Sequence, residues 1–225
     1  MKKVIAILLG VTVAGTIAVA QSVPSRNAVG YVKVELVGSN LELVGMPFEQ
    51  VDKTLTNTTA TIVGDQLPGG SNVYIWDKGT STYNIETFGR GGWPATTEIN
   101  RGDAFWVQAP GLAGETNVLY LMGEVPDSMN GGATTTVTAV ELDAISYAYP
   151  VAIDWVNTTL AAGAVGGEDA YFWNGSGYDI STLGRGGWSG VGATKTIEPG
   201  EAFWYSSKIA GGVNWEEVKP YTYPE

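Results

Sequence analysis

The chain has 225 residues and a formal net charge of −11, with 12 Lys and Arg against 23 Asp and Glu, and it contains neither His nor Cys. The acidic balance argues against phosphate backbones and anionic lipid as partners, the missing Cys excludes a disulfide framework, and the missing His excludes Ser-His-Asp and Cys-His nucleophile systems. A hydrophobic content of 44% with aromatics at 11% is that of a packed core rather than a disordered chain, despite 31 Gly.

Residues 1–20 read as an export leader. Lys2 and Lys3 form a positive start, Val4 to Ile17 is apolar apart from Gly and Thr, and Ala18-Val19-Ala20 offers the small residues of a cleavage site. The run is too short for a spanning helix, which needs about twenty apolar residues, so no membrane insertion is expected once the leader is removed. No Cys follows to carry a lipid anchor. The mature chain is expected to begin near Gln21, with residues 21–28 as an extended arm around Pro24.

From Val29 onward the pattern has period 2. In Val29 to Val37, Val32, Val34 and Leu36 alternate with Lys33 and Glu35, predicting a strand with one buried face. Val51 to Val63 allows one short helix. Asn72 to Asp77 and Ser81 to Phe88 read as strands joined by the turn Asp77-Lys78-Gly79, and Ala104 to Ala109 and Asn117 to Glu124 add two more. Pro126 to Ala133 is the natural joint. Beyond it, Val156 to Val165 allows a second short helix, and Asn174-Gly175 predicts a hairpin turn of the type that needs positive φ.

The second half repeats the first. Tyr83-Asn-Ile-Glu-Thr-Phe-Gly-Arg-Gly-Gly-Trp93 returns as Tyr178-Asp-Ile-Ser-Thr-Leu-Gly-Arg-Gly-Gly-Trp188. Tyr74-Ile75-Trp76 matches Tyr171-Phe172-Trp173, and Gly102-Asp103-Ala104-Phe105-Trp106 matches Gly200-Glu201-Ala202-Phe203-Trp204. Val34-Glu35-Leu36 pairs with Val140-Glu141-Leu142, and Pro47 with Pro150. Self-similarity over the length of a small unit is the mark of duplication. Two copies predict that Trp76 and Trp106 take equivalent places to Trp173 and Trp204, all four largely buried, with Phe105 and Phe203 on the opposite face of their strands.

These residues carry a resemblance. The Asn27-Ala28-Val29-Gly30-Tyr31-Val32 opening, the strands Tyr74 to Trp76 and Tyr171 to Trp173, the segments Gly102 to Trp106 and Pro199 to Trp204, and the closing Gly123-Glu124-Val125 resemble a group of secreted two-repeat β-proteins from the Planctomycetes–Verrucomicrobia bacteria. The chain departs from that group at Ala104 and Ala202, where the group has Gly, and in a second copy that ends without Gly-Glu-Val. The resemblance covers nearly the whole mature chain and implies export and a β-rich repeat. Its motifs are structural, and it leaves activity open.

Enzymatic chemistry is poorly supplied. Asp103 and Glu201 could form a carboxylate pair for glycoside hydrolysis, but equivalent positions in two units lie too far apart to share a substrate. Arg101-Gly102-Asp103 spells an adhesion tripeptide, yet Pro199-Gly200-Glu201 at the repeat position makes it a Gly turn followed by an acid. No catalytic residue, cofactor or metal is expected, because zinc and copper sites draw on His or Cys and the acids are scattered. The Gly-Arg-Gly-Gly-Trp turns offer one binding reading, in which Trp93 and Trp188 stack on sugar rings beside Arg90 and Arg185. The competing reading packs both Trp inward.

The sequence therefore predicts a mainly β protein of two tandem homologous β-barrel or β-sandwich units, each with at most one short helix. The units span 29–125 and 134–225, joined by a linker at 126–133. The expected role is that of a secreted, non-catalytic structural protein that self-associates at the cell surface or in an extracellular matrix or fibre. The alternative is a carbohydrate-binding module that takes a polysaccharide. Nucleic acid is not an expected partner.

Overall fold

A computed structural model describes residues 28–94, 96–126, 133–137 and 142–222. The leader at 1–20, the arm apart from Ala28, and residues 127–132 of the linker lie outside the described residues. In chain order the first half contains β1 (Val29–Val37), β2 (Leu41–Gly45), α1 (Thr59–Ile62), β3 (Asn72–Asp77), β4 (Thr82–Thr87), β5 (Ala104–Gln108) and β6 (Thr116–Glu124). The second half contains β7 (Ala133–Val137), β8 (Leu142–Ser146), β9 (Ile153–Asp154), α2 (Thr159–Gly163), β10 (Asp169–Trp173), β11 (Tyr178–Gly184), β12 (Gly187–Trp188), β13 (Thr196–Ile197), β14 (Ala202–Ser206) and β15 (Val213–Glu217). Short 3-10 turns at Trp155–Asn157 and Gly190–Ala193 complete it. The fold is mainly β, as its alternation implied.

Every strand pair is antiparallel. One sheet runs β2-β5-β3-β4 and the other β12-β11-β10-β14-β8. Read from β8, the second sheet has the order of the first: β8 stands where β2 does, then β14 for β5, β10 for β3 and β11 for β4. The ribbon β1-β6 accompanies the first sheet and β7-β15 the second. Trp106 lies opposite Leu43 and Tyr74, as Trp204 lies opposite Ala144 and Tyr171.

That register corrects one pairing drawn from the sequence. Val34 to Leu36 belongs to β1 and pairs with β6, whereas Leu142 opens β8, the counterpart of β2 and Leu41. Valine-acid-leucine triplets all look alike to a period-2 reading. β2 itself gave no alternating signal, because Leu43, Val44 and Gly45 are all buried; a strand covered on both faces loses its polar beats.

Three apolar clusters organise the layers. The first takes its buried residues from 34–121 and lies between ribbon β1-β6 with α1 and one face of the first sheet. The second takes them from 145–215 in the other half. The third is shared: Leu43, Ala104 and Trp106 meet Ala144, Ala202 and Trp204 where the two sheets face each other. β5 shows how one strand serves two layers, since Phe105 and Val107 enter the first cluster and Ala104 and Trp106 the shared one. β14 divides in the same way, with Phe203 and Tyr205 in the second cluster and Trp204 in the shared one. The expected opposition of Phe105 to Trp106 and Phe203 to Trp204 is therefore present. Trp106 and Trp204 are buried, but Trp76 and Trp173 are only partly so, contrary to expectation.

The helices are single turns held by caps and packing rather than propensity. Thr58 and Thr61 form a reciprocal capping pair at α1, and Thr158 Oγ1 accepts from the Ala161 N–H at α2. The Asn174-Gly175 signal gives a hairpin, but with a four-residue loop: Trp173 pairs with Tyr178. Asn174 Oδ1 accepts from the Ser176 and Gly177 N–H groups, so the side chain builds the turn.

Glu168 makes the second half sensitive to acid. Its carboxylate is fully buried and accepts from the Tyr205 and Ser207 hydroxyls and from the Lys208 and Val165 N–H groups. Burial alone would raise its pKa, but these four donors outweigh it and hold the carboxyl below the usual value. A depressed folded pKa contributes stability above the unfolded value of about 4.3 and loses it as pH falls through the folded value. Denaturant melts from pH 7 to pH 3 should show wild-type stability declining below about pH 4.5. Glu168→Gln should start lower at pH 7 and fall less steeply. Parallel wild-type and variant curves would refute the assignment.

Candidate functional site

The Gly-Arg-Gly-Gly-Trp segments form tight hairpin turns with Arg at the tip. Gly89 and Gly92 exchange two backbone hydrogen bonds of 3.2 and 3.1 Å around Arg90-Gly91, and Gly184 pairs with Gly187 around Arg185-Gly186. Gly92 and Gly187 take φ of 89° and 103°, which side-chain-bearing residues rarely adopt. Arg90 and Arg185 are exposed, and each Trp turns the other way. Trp93 is buried, stacks on Phe88 at 5.2 Å, and donates from Nε1 to the Gly64 carbonyl at 2.6 Å, just past the end of α1. Trp188 is partly buried, packs on Trp155 at 5.0 Å, and donates to the Ala161 carbonyl of α2 at 3.2 Å.

Both indoles thus close the C-terminal turn of a short helix, satisfying carbonyls that have no partner within it. Of the residues read as a stacking platform, Trp93 is buried, Trp188 keeps part of its surface, and Arg90 and Arg185 are exposed. Both indoles are engaged within the fold, and both arginines lie at exposed turn tips.

The shared seam is built by related contacts from each half. Trp76 meets Trp204 edge-on at 5.4 Å, and Trp173 meets Trp106 edge-on at 4.9 Å. The Gly45 N–H donates to the Gly200 carbonyl at 2.8 Å, and the Ser146 N–H donates to the Gly102 carbonyl at 2.9 Å. Asp103 and Glu201 serve the turns that make these contacts. Asp103 Oδ2 accepts from the Asn100 N–H at 2.7 Å and Glu201 Oε2 from the Glu198 N–H at 3.0 Å. Burial raises the Asp103 pKa against that hydrogen bond. Arg101 is turned inward, paired with Glu49 at 3.4 Å and lying over the Tyr149 ring at 5.5 Å. The Arg101-Gly102-Asp103 tripeptide is structural in this setting.

The surfaces left for partners are strand edges. β6 pairs with β1 along nine residues, and its other side is stopped: the Gln66 amide both donates to and accepts from the Tyr120 backbone, and Glu49 exchanges two backbone hydrogen bonds with Glu124. β7 pairs with β15. That pairing leaves the second side of β7 without a partner strand among the described residues, whereas the uncharged stretch Asn117 to Met122 is covered on one side and stopped on the other. Open edges are found at β1 and β4.

The hydrogen-bonding parity of each ribbon locates these edges. Val125 donates to Ala28 and Gly38 to Glu115, so even residues of β1 face β6 and the backbone groups of Val29, Tyr31, Lys33 and Glu35 point away. Phe88 donates to Ser71, so Tyr83, Ile85 and Thr87 present their backbone outward from β4. Along β4 every side chain except Glu86 is exposed, Ile85 at 59%. Glu86 is turned in, and its carboxylate accepts from the Thr96 and Thr97 N–H groups. The edge therefore shows no Lys, Pro or bulge, the usual guards of a monomeric sheet. β1 and β6 add an exposed apolar face of Val29, Tyr31, Tyr120 and Met122, with Tyr31 and Tyr120 in edge contact at 5.9 Å.

Among the described residues no group of three or more His, Cys, Asp or Glu is placed to hold a metal ion, and no helix is long and apolar enough to cross a membrane. No protein-family model matches the chain, and neither a curated protein nor a solved structure matches it.

Proposed function

We propose that this chain is an exported, non-catalytic structural protein, built from two copies of one unit, that self-associates through its open strand edges at the cell surface or in an extracellular matrix. The observation that carries this reading is the bare edge of β4, with outward backbone groups at Tyr83, Ile85 and Thr87 and uncharged exposed side chains. A partner strand laid against it gains backbone hydrogen bonds along its length and covers Ile85 and Tyr83. The equivalent edge in the second half is shorter, because Ser189 occupies the Thr182 backbone and leaves Tyr178 and Ile180. Pairing β4 with β4 of another copy gives a closed dimer; pairing it with that second edge gives an open chain. Export rests on the leader, and the repeat on the matching strand orders and registers.

The polysaccharide alternative draws no support from Trp93 and Trp188, which are packed beneath their own helices. Analytical ultracentrifugation over a concentration series should show wild-type association, and Ile85→Lys should shift the midpoint at least tenfold to higher concentration. Circular dichroism and the melting temperature should stay unchanged, since Ile85 contributes little to the core. A wild-type protein that stays monomeric to millimolar concentration would refute the proposal.

A further inference from the structure

A groove of about 290 Å³ runs between the open edge of β1 and strand β2, and the Pro199-Gly200-Glu201 turn of the other half closes it. That turn is seated tightly, since a Cβ on Gly200 would lie 2.6 Å from Val32. The outward N–H and C=O groups of Lys33 and Glu35 line one wall, and no backbone bond within the described residues occupies them. Val44 and Trp173 provide apolar lining. The opposite wall carries Glu42 and Glu201.

The charge in this groove is unbalanced. Lys33 is held by Glu35, and Lys195 by Glu201. Glu42 has no cationic partner among the described residues. Burial foremost raises its pKa, the Trp173 indole N–H partly offsets that, and the neighbouring Glu201 charge adds to it. A half-buried carboxylate without a cation, next to unpaired strand backbone, is completed by a strand that brings the cation with it.

We propose that the groove between β1 and β2 binds an extended peptide segment of a partner protein, pairing with Lys33 and Glu35 through its backbone and placing a Lys or Arg against Glu42. The partner is a different chain. This one has a net charge of −11, and Lys33, already part of the groove, is the single basic residue in any strand among the described residues. The inference is independent of association at β4.

The probes are three blocked heptapeptides: Thr-Val-Thr-Lys-Thr-Val-Thr, the same peptide with Glu at the centre, and a third with Pro on both sides of the Lys. Binding is followed by calorimetry and by backbone amide NMR shifts, using the Ile85→Lys variant so that association at β4 does not enter. The Lys peptide should bind at least tenfold more tightly than the Glu peptide, lose affinity as salt rises, and shift the Lys33 and Glu35 amides. The Pro peptide should not bind, because it cannot complete the ladder. Glu42→Gln should weaken the Lys peptide about tenfold while the circular dichroism spectrum is retained. Equal affinity for the Lys and Glu peptides, no response to Glu42→Gln, shifts centred on Tyr83 and Thr87 instead, or no binding at millimolar peptide would each overturn the proposal.

Discussion

Trp106→Ala should lower the stability of the folded chain by about 3–5 kcal/mol, the cost of truncating a large aromatic within a core. Trp106 is only 7% exposed. It is opposed within its sheet by Leu43 and Tyr74 and met across the seam by Trp173 at 4.9 Å and Tyr178 at 6.5 Å. Few of these neighbours can collapse into the space, because each is fixed by a strand of its own. Trp76→Ala should cost distinctly less, since that ring keeps part of its surface in water. A chemical denaturation series on both variants measures the difference. Because the residue joins the two halves, Trp106→Ala should also reduce cooperativity, splitting one transition into two as the halves begin to unfold separately. A melt indistinguishable from wild type would show that the seam is not where stability resides.

Gly45→Val is the second large effect, and it acts by wedging rather than by loss. A Cβ at Gly45 would stand 2.2 Å from the Ser146 Cβ and 3.0 Å from the Glu201 carbonyl oxygen. Overpacking generally costs about 1–3 kcal/mol where neighbours can yield. Here a main-chain oxygen and a buried strand residue stand in the way, and the Gly45 N–H bond to Gly200 is strained with them. The expected result is destabilisation at or above the top of that range, together with a larger radius of gyration in small-angle scattering as the sheets part. Arg90→Ala and Arg185→Ala serve as controls, because both side chains lie at exposed turn tips and should leave melting and size unchanged. A Gly45→Val protein of wild-type size and stability would mean that the two sheets do not meet at this point.

The strands with clean alternation were legible from residues alone. Val29 to Val37 and Asn72 to Asp77 match β1 and β3 end to end, because each has one face in a core and one nearer water. β2 was illegible for the opposite reason, being covered on both sides. Composition showed that His and Cys are missing, and local sequence set the turns: Gly at positive φ in both Gly-Arg-Gly-Gly-Trp hairpins, and Asn174 folding its own loop. Recurrence of Trp106 as Trp204 marked residues whose neighbours are matched in the two halves.

Tertiary structure alone decided which aromatic rings stay available and which strand edges stay open. Trp93 and Trp188 resemble binding residues in sequence, flanked as they are by Gly and Arg. Their indoles were claimed by carbonyls 29 and 27 residues away in the chain, one just past α1 and one within α2. Asn117 to Met122 has no charge to guard it, yet β1 covers one side and Gln66 and Glu49 stop the other. A strand's own residues determine which of its faces is apolar, since side chains alternate with a period of two. Whether its backbone groups are satisfied depends on which distant segment lies beside it, and that is settled only when the whole chain has packed.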